Sequence, residues 1–261
     1  MNLNAIKAKA DSGEAIVMLT AYDYTLARIL DGAGLDIILV GDSLGMVVRG
    51  EENTLQVTID DMVYHTKMVK RAVKQSLLVA DMPFMSYQLS PEQALKNAAR
   101  LVSEGGAQAV KLEGGPPFCP AITKIINAGI PVMGHLGFTP QALHQIGGYN
   151  IKGKSPTTAE KILQEAKLLE KTGVFALVLE MVPAELGAEI SRELKIPVIG
   201  CGAGPDCDGQ VLVTHDILGL YPEPPRFVKQ YANLEETITR AVKDYSGDVK
   251  ARKFPGPEQS F

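Results

Sequence analysis

The sequence predicts an α/β protein built as a single-domain (β/α)8 barrel, also called a TIM barrel, over residues 1–261. Three observations predict it. Apolar runs of strand length recur eight times, helical signals lie between most of them, and no Gly/Ser-rich or charged linker divides the chain. Eight strand and crossover units in about 200 residues fit a closed barrel better than a doubly wound sheet, which more often has about five or six strands.

The predicted strands are nearly continuous apolar runs rather than alternating ones. Such runs are typical of parallel strands that are covered on both faces. In chain order they are IVMLTAYD from Ile16, DIILVGDS from Asp36, SLLVADMP from Ser76, AQAVKLEG from Ala107, IPVMGHLG from Ile130, FALVLEMV from Phe175, IPVIGCGA from Ile196 and QVLVTHDI from Gln210.

Capping patterns mark the starts of three predicted helices. A helix that begins after Thr58 and runs through Gln75 follows the second strand. Ser90, a hydroxyl cap followed by a proline, opens the helix after the third strand. A capping box at Thr157 opens a helix that ends at Gly173.

The remaining helices have weaker signals. We expect a helix over residues 184–195 after the sixth strand and a short one within residues 120–129 after the fourth. Residues 204–209 (GPDCDG), between the seventh and eighth strands, are too few for a helix. The segment from Asn233 (NLEETITRAVKDYSG) predicts a closing helix.

Composition excludes several classes of function. The net charge of −4, from 26 basic and 30 acidic residues, contains no long block of either sign, which argues against nucleic-acid and membrane partners. Three cysteines without CxxC spacing argue against a disulfide framework and a thiolate zinc site, so we expect the reducing cytoplasm. Neither a signal peptide nor an apolar stretch of spanning length is apparent.

Polar residues recur where the predicted strands end. Because the carboxyl ends of barrel strands meet at one mouth, we expect these side chains to converge there. A charge buried at such a position costs several kcal/mol unless it is paired or bound to a metal. The residues are Asp23, Asp42 with Ser43, Asp81, Lys111 with Glu113, His135, Glu180 and Asp216.

Three of these acids, Asp42, Asp81 and Glu113, follow adjacent strands. Hard oxygen ligands without cysteines favour Mg²⁺ over Zn²⁺. The alternative for each acid is that it caps a helix or pairs with a basic neighbour such as Lys111. For all three together, the sequence favours a shared cation.

The other polar residues leave alternatives open. Lys111, two residues from Glu113 on one predicted strand, is interpreted as an anion clamp or a salt-bridge partner, since nearby acids hold up its pKa and disfavour a nucleophile. His135 either donates to a substrate oxygen or is satisfied by a neighbour. Glu180, in apolar company, is interpreted as a general base with a raised pKa, or as a cap of the next helix. Glycines of residues 200–204 (GCGAG) indicate either a pocket lining or a close approach to an anion, rather than a dinucleotide fingerprint.

Several blocks resemble one enzyme family. They are MLTAYDY, VGDSLGMV, ADMPF, VKLEGG, PVMGHLGFTPQ with GGY, LVLEMVPAEL and PVIGCGAG with DGQVLV and HDILG, from about Leu19 to about Tyr231. In this order and spacing, the chain is similar to the ketopantoate hydroxymethyltransferase (3-methyl-2-oxobutanoate hydroxymethyltransferase) family. It departs modestly at Cys201, at residues 205–207 and in a short tail.

The resemblance implies a role for each matched residue. Asp42 and Asp81 would be metal ligands that also hold the substrate, and Glu113 would complete the metal site directly or through water. Ser43 and Lys111 would bind the ketoacid, with His135 in the pocket. Glu180 would be the proton acceptor.

The resemblance also implies the reaction. A hydroxymethyl group passes from 5,10-methylenetetrahydrofolate to 3-methyl-2-oxobutanoate through a Mg²⁺-stabilised enolate and gives 2-dehydropantoate (ketopantoate), for pantothenate and CoA biosynthesis. A homo-oligomer, commonly a decamer, is implied as well. Two alternatives stay open: a Mg²⁺-dependent barrel lyase of the isocitrate lyase and phosphoenolpyruvate mutase type, with Cys119 of GGPPFCPAI in a lid loop, and a non-catalytic ketoacid-binding protein.

Overall fold

The computed structural model describes residues 1–148, 150–221 and 223–261. The chain divides into two compact units, Met1–Leu212 and Val213–Phe261, and each is described by itself. The single-domain organisation expected from the sequence therefore stays a prediction.

The first unit is a closed barrel of eight strands in which every neighbouring pair is parallel. The predicted fold is confirmed. The strands are shorter than the apolar runs. Seven runs continue past the strand into the loop at the mouth, while the fifth run begins two residues before its strand and ends with it at Gly137. They are β1 Ile16–Thr20, β2 Ile37–Val40, β3 Leu77–Asp81, β4 Ala109–Lys111, β5 Val132–Gly137, β6 Ala176–Glu180, β7 Val198–Cys201 and β8 Gly209–Leu212.

The barrel interior is filled by every second residue of the strands, since successive side chains of a strand point to opposite faces. One apolar cluster forms this interior: Ile16, Met18, Ile37, Leu39, Leu77, Val79, Ala109, Met133, Ala176, Val178, Ile199 and Val211, with Ile6 of the first helix. A second and larger cluster lies between the strands and the surrounding helices. Both faces of the strands are therefore mostly buried, which explains their continuous apolar runs.

Nine α-helices of the first unit are described, and most follow a strand. They are α1 Leu3–Asp11, α2 Tyr24–Gly32, α3 Leu44–Val47, α4 Ile59–Ala72, α5 Pro91–Ser103, α6 Cys119–Asn127, α7 Leu143–Ile146, α8 Pro156–Thr172 and α9 Ala184–Glu193. No helix separates β7 from β8 in the described chain, as residues 204–209 predict.

The caps of α4 and α5 are as predicted. Thr58 forms a capping box with Asp61, and the Ser90 side chain accepts from the Gln93 backbone N–H. Helix α4 ends at Ala72, three residues before the predicted end at Gln75.

The predicted start of α8 is wrong by two residues. Ser155, not Thr157, is the N-cap, and it forms the capping box with Thr158. Pro156 explains the difference, because its fixed φ favours the first helical position and leaves the hydroxyl of Ser155 to cap. The end of the helix at Gly173, which has a left-handed φ of 102°, is confirmed.

The second unit contains α10 Thr214–Ile217 and α11 Leu234–Lys250. Asn233 caps α11, as the sequence predicts, and its side chain accepts from the Glu236 backbone N–H. The role of this helix in closing the barrel stays a prediction. Nowhere in the described chain is there a helix with the length and apolarity needed to cross a bilayer.

Candidate active site

Four predicted site residues continue the inward alternation of the barrel interior to its carboxyl end. Asp81 follows Leu77 and Val79 at every second position of β3, and Lys111 follows Ala109 in β4. The same alternation in β5 and β6 directs two further polar side chains inward, His135 and Glu180. The strands therefore bring acids and bases to one mouth above an apolar interior.

Lys111 and Asp81 form a buried ion pair. Lys111 Nζ lies 2.6 Å from Asp81 Oδ1. Burial by itself lowers the pKa of Lys111, but the carboxylates of Asp81, Glu113 and Asp42 outweigh it and raise the pKa above its usual value. Lys111 is thus a held cation, as the sequence indicates, and a poor nucleophile.

Asp42 lies two residues beyond β2 and is buried. Its backbone N–H donates to Asp81 Oδ2 over 3.1 Å, which joins the two acids through the main chain. Burial, and next the charge of Asp81, raise the pKa of Asp42 to about 7. Gly41 makes this close turn possible, since a Cβ there would lie 2.7 Å from Ser43 Oγ.

Ser43 connects the first two strand ends. Its Oγ lies 2.8 Å from the hydroxyl of Tyr22, which follows β1. Either hydroxyl is able to donate, so one of the two hydroxyl hydrogens is used within the pair.

Glu113 is not on β4, contrary to the prediction that it shares that strand with Lys111. The strand ends at Lys111, and the chain turns there before Gly114, which has a φ of 101°. The side chain is buried nevertheless, and its Oε2 accepts from the Gln141 backbone N–H over 3.0 Å. Burial, and next the charge of Asp42, raise the pKa of Glu113.

His135 lies among three charged side chains. Its Nε2 is 3.2 Å from Glu180 Oε2, and its Nδ1 is 3.4 Å from Lys111 Nζ and 3.6 Å from Glu113 Oε1. Burial, and next the charge of Lys111, lower the pKa of His135, so the imidazole is neutral near pH 7. This position fits both interpretations of His135, as a donor to a substrate oxygen and as a histidine satisfied by its neighbours. The ring has polar neighbours, and it faces the mouth of the barrel.

Glu180 is the most exposed of these acids, with 17% of its side chain accessible. It does not cap α9, whose N-cap is Pro183 without a side-chain hydrogen bond. The backbone around it is constrained, because Met181 has a left-handed φ of 48° and the Phe138 N–H donates to the Glu180 carbonyl over 2.8 Å.

The site carries an excess of buried negative charge. Four acids converge on one lysine and one neutral histidine, and such an excess is stable only if protons or a cation offset it. Oxygen donors of this kind suit a hard divalent cation. In residues 1–148, 150–221 and 223–261, however, no three His, Cys, Asp or Glu side chains are grouped as a ready-made metal site. The metal roles of Asp42, Asp81 and Glu113 stay predictions.

The remaining two residues that the sequence predicts at strand ends are Asp23 and Asp216. Asp23 is exposed and caps α2 by accepting from the Leu26 N–H. Asp216 belongs to the second unit, in α10, four residues past β8.

Sequence reasoning missed two buried residues of the site. Gln141, in a 3₁₀ turn at Pro140–Ala142 after β5, donates through Nε2 to Asp42 Oδ2 over 2.9 Å. Tyr87, in the loop after β3, donates to Gln141 Oε1 over 2.8 Å. Both lie in loops where a polar residue is ordinary, so only burial distinguishes them.

Comparison with known protein families identifies the family of this barrel. A family model described as ketopantoate hydroxymethyltransferase matches residues 1–257. The chain belongs to this family. Its members act in pantothenate biosynthesis, as the family name implies, and the resemblance read from the motifs is confirmed.

Curated relatives in this family are similar over nearly the whole chain. The 3-methyl-2-oxobutanoate hydroxymethyltransferase of Thermoanaerobacter sp. (strain X514) is 55% identical over 250 residues, which cover 95% of this chain and 91% of the relative. That of Moorella thermoacetica (strain ATCC 39073 / JCM 9320) is 55% identical over 262 residues, which cover 100% and 97%. The chain is accordingly a hydroxymethyltransferase enzyme.

Solved structures with low sequence identity share the fold. A phosphonopyruvate hydrolase, crystallised in complex with oxalate and Mg²⁺, superimposes with a TM-score of 0.63 at 13% identity and covers 98% of this chain and 92% of its own. At this identity the likeness supports the barrel fold alone.

Proposed function

We propose that this member of the ketopantoate hydroxymethyltransferase family transfers the one-carbon group of 5,10-methylenetetrahydrofolate to 3-methyl-2-oxobutanoate and gives 2-dehydropantoate in a Mg²⁺-dependent reaction. The observation that carries the proposal is the convergence of four acids, one lysine and one neutral histidine at the barrel mouth. A substrate with a carboxylate and an adjacent keto oxygen would fit such a site if the acids held a cation, which would supply the positive charge that both oxygens attract.

Asp42 and Asp81 would hold the Mg²⁺, with Glu113 completing the site. Their excess of buried negative charge supports this assignment, and the phosphonopyruvate hydrolase of the same fold was crystallised with Mg²⁺ and the dicarboxylate oxalate. When bound, the ion supplies positive charge that stabilises the negative charge developing on the ketoacid oxygen.

Lys111 and Ser43 would bind the ketoacid carboxylate. Lys111 keeps its charge because acids surround it, and its pairing with Asp81 limits where its ammonium group lies. The Ser43 hydroxyl, oriented by Tyr22, offers a hydrogen bond on the neighbouring loop. Two contacts at fixed positions would present one face of C3 to the folate.

Glu180 would be the base. It removes the proton from C3, and the electron pair of the C–H bond forms a C–C bond to the methylene carbon of the folate. That carbon loses both of its bonds to folate nitrogens, one as the C–C bond forms and the other when water supplies the hydroxyl group of the product. The two nitrogens take up the proton that Glu180 removed and the proton left by the water. Two features of Glu180 support its role as the base: its side chain is partly exposed, and it lies 3.2 Å from the neutral His135.

The direct test is product formation by the purified chain. We expect 2-dehydropantoate from 3-methyl-2-oxobutanoate only when 5,10-methylenetetrahydrofolate and Mg²⁺ are both present, measured by mass spectrometry. Product without the folate, or none with both, would contradict the proposal.

Replacement of Cys119 separates the proposal from the lyase alternative. Cys119 is the first residue of α6 and packs partly buried against the apolar cluster around the barrel, so we expect Cys119→Ser to leave activity unchanged. A lyase with a catalytic cysteine in this segment would lose its activity.

The decamer and the cytoplasmic location belong to the same proposal. Exposed apolar side chains on α11 support assembly between copies: Ile238, Val242 and Tyr245 are 50%, 59% and 59% accessible. Light scattering should give a mass near ten chains, and a monomer at micromolar concentration would contradict this part.

A further inference from the structure

Gln141 forms hydrogen bonds through both ends of its side-chain amide and through its backbone N–H. Its Nε2 donates to Asp42 Oδ2 and to the Met82 carbonyl, each over 2.9 Å. Its Oε1 accepts from the Tyr87 hydroxyl over 2.8 Å and from Gln88 Nε2 over 3.2 Å. Its backbone N–H donates to Glu113 Oε2 over 3.0 Å. A buried amide satisfied at all of these positions has one orientation.

The chemistry of its partners fixes that orientation. The carboxylate of Asp42 and the carbonyl of Met82 only accept hydrogen bonds, so the amide nitrogen must face them and the amide oxygen must face Tyr87. The amide cannot rotate by 180° without placing oxygen against two acceptors.

Gln141 also links the loops that follow four different strands. It follows β5, while its partners follow β2, β3 and β4: Asp42, Met82 with Tyr87, and Glu113. One residue therefore sets the spacing of three mouth loops, two of which carry acids proposed to bind the cation.

Gln141 contacts each of the two acids through one oxygen. Gln141 binds Oδ2 of Asp42 and Oε2 of Glu113, which limits the rotation of both carboxylates. Because an amide is neutral, it orients these acids without neutralising them, in contrast to Lys111 beside Asp81. Groups that orient metal ligands in this way tune metal affinity by about 10–100-fold.

We propose that Gln141 is a positioning residue that holds the carboxylates of Asp42 and Glu113 in the orientation needed to bind the divalent cation. This inference rests on the proposed function, which places the cation between these acids.

The test is Mn²⁺ binding to the purified enzyme without substrate, followed by electron paramagnetic resonance, in wild type and Gln141→Met. Methionine has a similar volume but no hydrogen-bonding amide, so we expect the dissociation constant to rise at least about 10-fold. Gln88→Met is the matched control. Gln88 donates to the same amide oxygen, but within residues 1–148, 150–221 and 223–261 it makes no hydrogen bond to an acidic side chain, and its variant should stay within about twofold of wild type.

Gln141→Asn provides a second variant should Gln141→Met fail to fold. It keeps the amide but shortens the side chain by one methylene, so the nitrogen no longer reaches Asp42, and we expect the same loss of affinity. Circular dichroism checks that each variant is folded. Wild-type Mn²⁺ affinity in a folded Gln141 variant would overturn the inference, while a wild-type enzyme that binds no Mn²⁺ would overturn the proposed metal site itself.

Discussion

Lys111 Nζ lies 2.6 Å from Asp81 Oδ1, and the two residues are direct neighbours in the register of β3 and β4. Both side chains are buried. The two opposite charges therefore occupy adjacent inward positions of two parallel strands. Because both are buried, water cannot replace either partner of the pair.

Lys111→Met should destabilise the protein because it leaves Asp81 as a buried charge without its cation. We expect a loss of about 3–5 kcal/mol in the free energy of unfolding, measured by urea denaturation at pH 7. Lys124→Met is the control, since Lys124 pairs with Glu92 at the surface and its loss should cost far less stability. The double variant Asp81→Asn with Lys111→Met should recover part of the loss; equal losses for Lys111 and Lys124 would contradict this interpretation.

Gly137→Ala should displace the backbone of Glu180. Gly137 has a φ of 94°, and a Cβ there would lie 2.1 Å from the Glu180 carbonyl oxygen. We expect kcat to fall at least about 100-fold, because a displacement of about 1 Å at a reacting group costs that much.

Gly129→Ala is the matched control for Gly137→Ala. Gly129 has a φ of 87° but no heavy atom within 4 Å of the added Cβ, so it shares the backbone strain without the collision. It should cost about 1–2 kcal/mol of stability and leave kcat near wild type. A similar loss of kcat in both variants would contradict this interpretation, because it would mean that backbone strain, and not the collision with Glu180, causes the loss.

Asp31→Asn should lower stability in a pH-dependent way. Asp31 is buried and accepts from the backbone N–H groups of Lys74, Gln75 and Ser76. Burial opposes the charged form, but these hydrogen bonds outweigh it and lower the pKa of Asp31 in the folded state.

The sign follows from that lowered pKa. The stabilisation is present above the unfolded-state pKa of about 3.9 and is lost as the pH falls through the lower folded-state value. We expect Asp31→Asn to cost about 1–3 kcal/mol at pH 7, with the gap to wild type closing below about pH 4. Asp23→Asn, which keeps a good N-cap, should change little; a constant gap for Asp31→Asn down to pH 2.5 would refute the assignment.

The sequence predicted the barrel because the physics that makes it is local. Strands covered on both faces need continuous apolar runs, and Ser90 and Thr58 mark helix starts by chemistry that acts within about three residues. The start of α8 was misplaced because two hydroxyl patterns overlap there, and Pro156 decides between them.

The site could be predicted only where a strand directs the side chain. Asp81, Lys111, His135 and Glu180 follow from the period of two along β3 to β6. Gln141 is positioned by contacts between loops far apart in sequence, as much as 99 residues in the case of Asp42, and no local pattern carries that information.

Deuterium exchange at C3 of 3-methyl-2-oxobutanoate, followed by NMR in D₂O without folate, tests the central claim most directly. The account predicts exchange by wild type only with Mg²⁺, and no exchange by Glu180→Gln, which should still bind the ketoacid because it retains Lys111 and Ser43. Exchange that continues without Mg²⁺, or at the wild-type rate in Glu180→Gln, would contradict it.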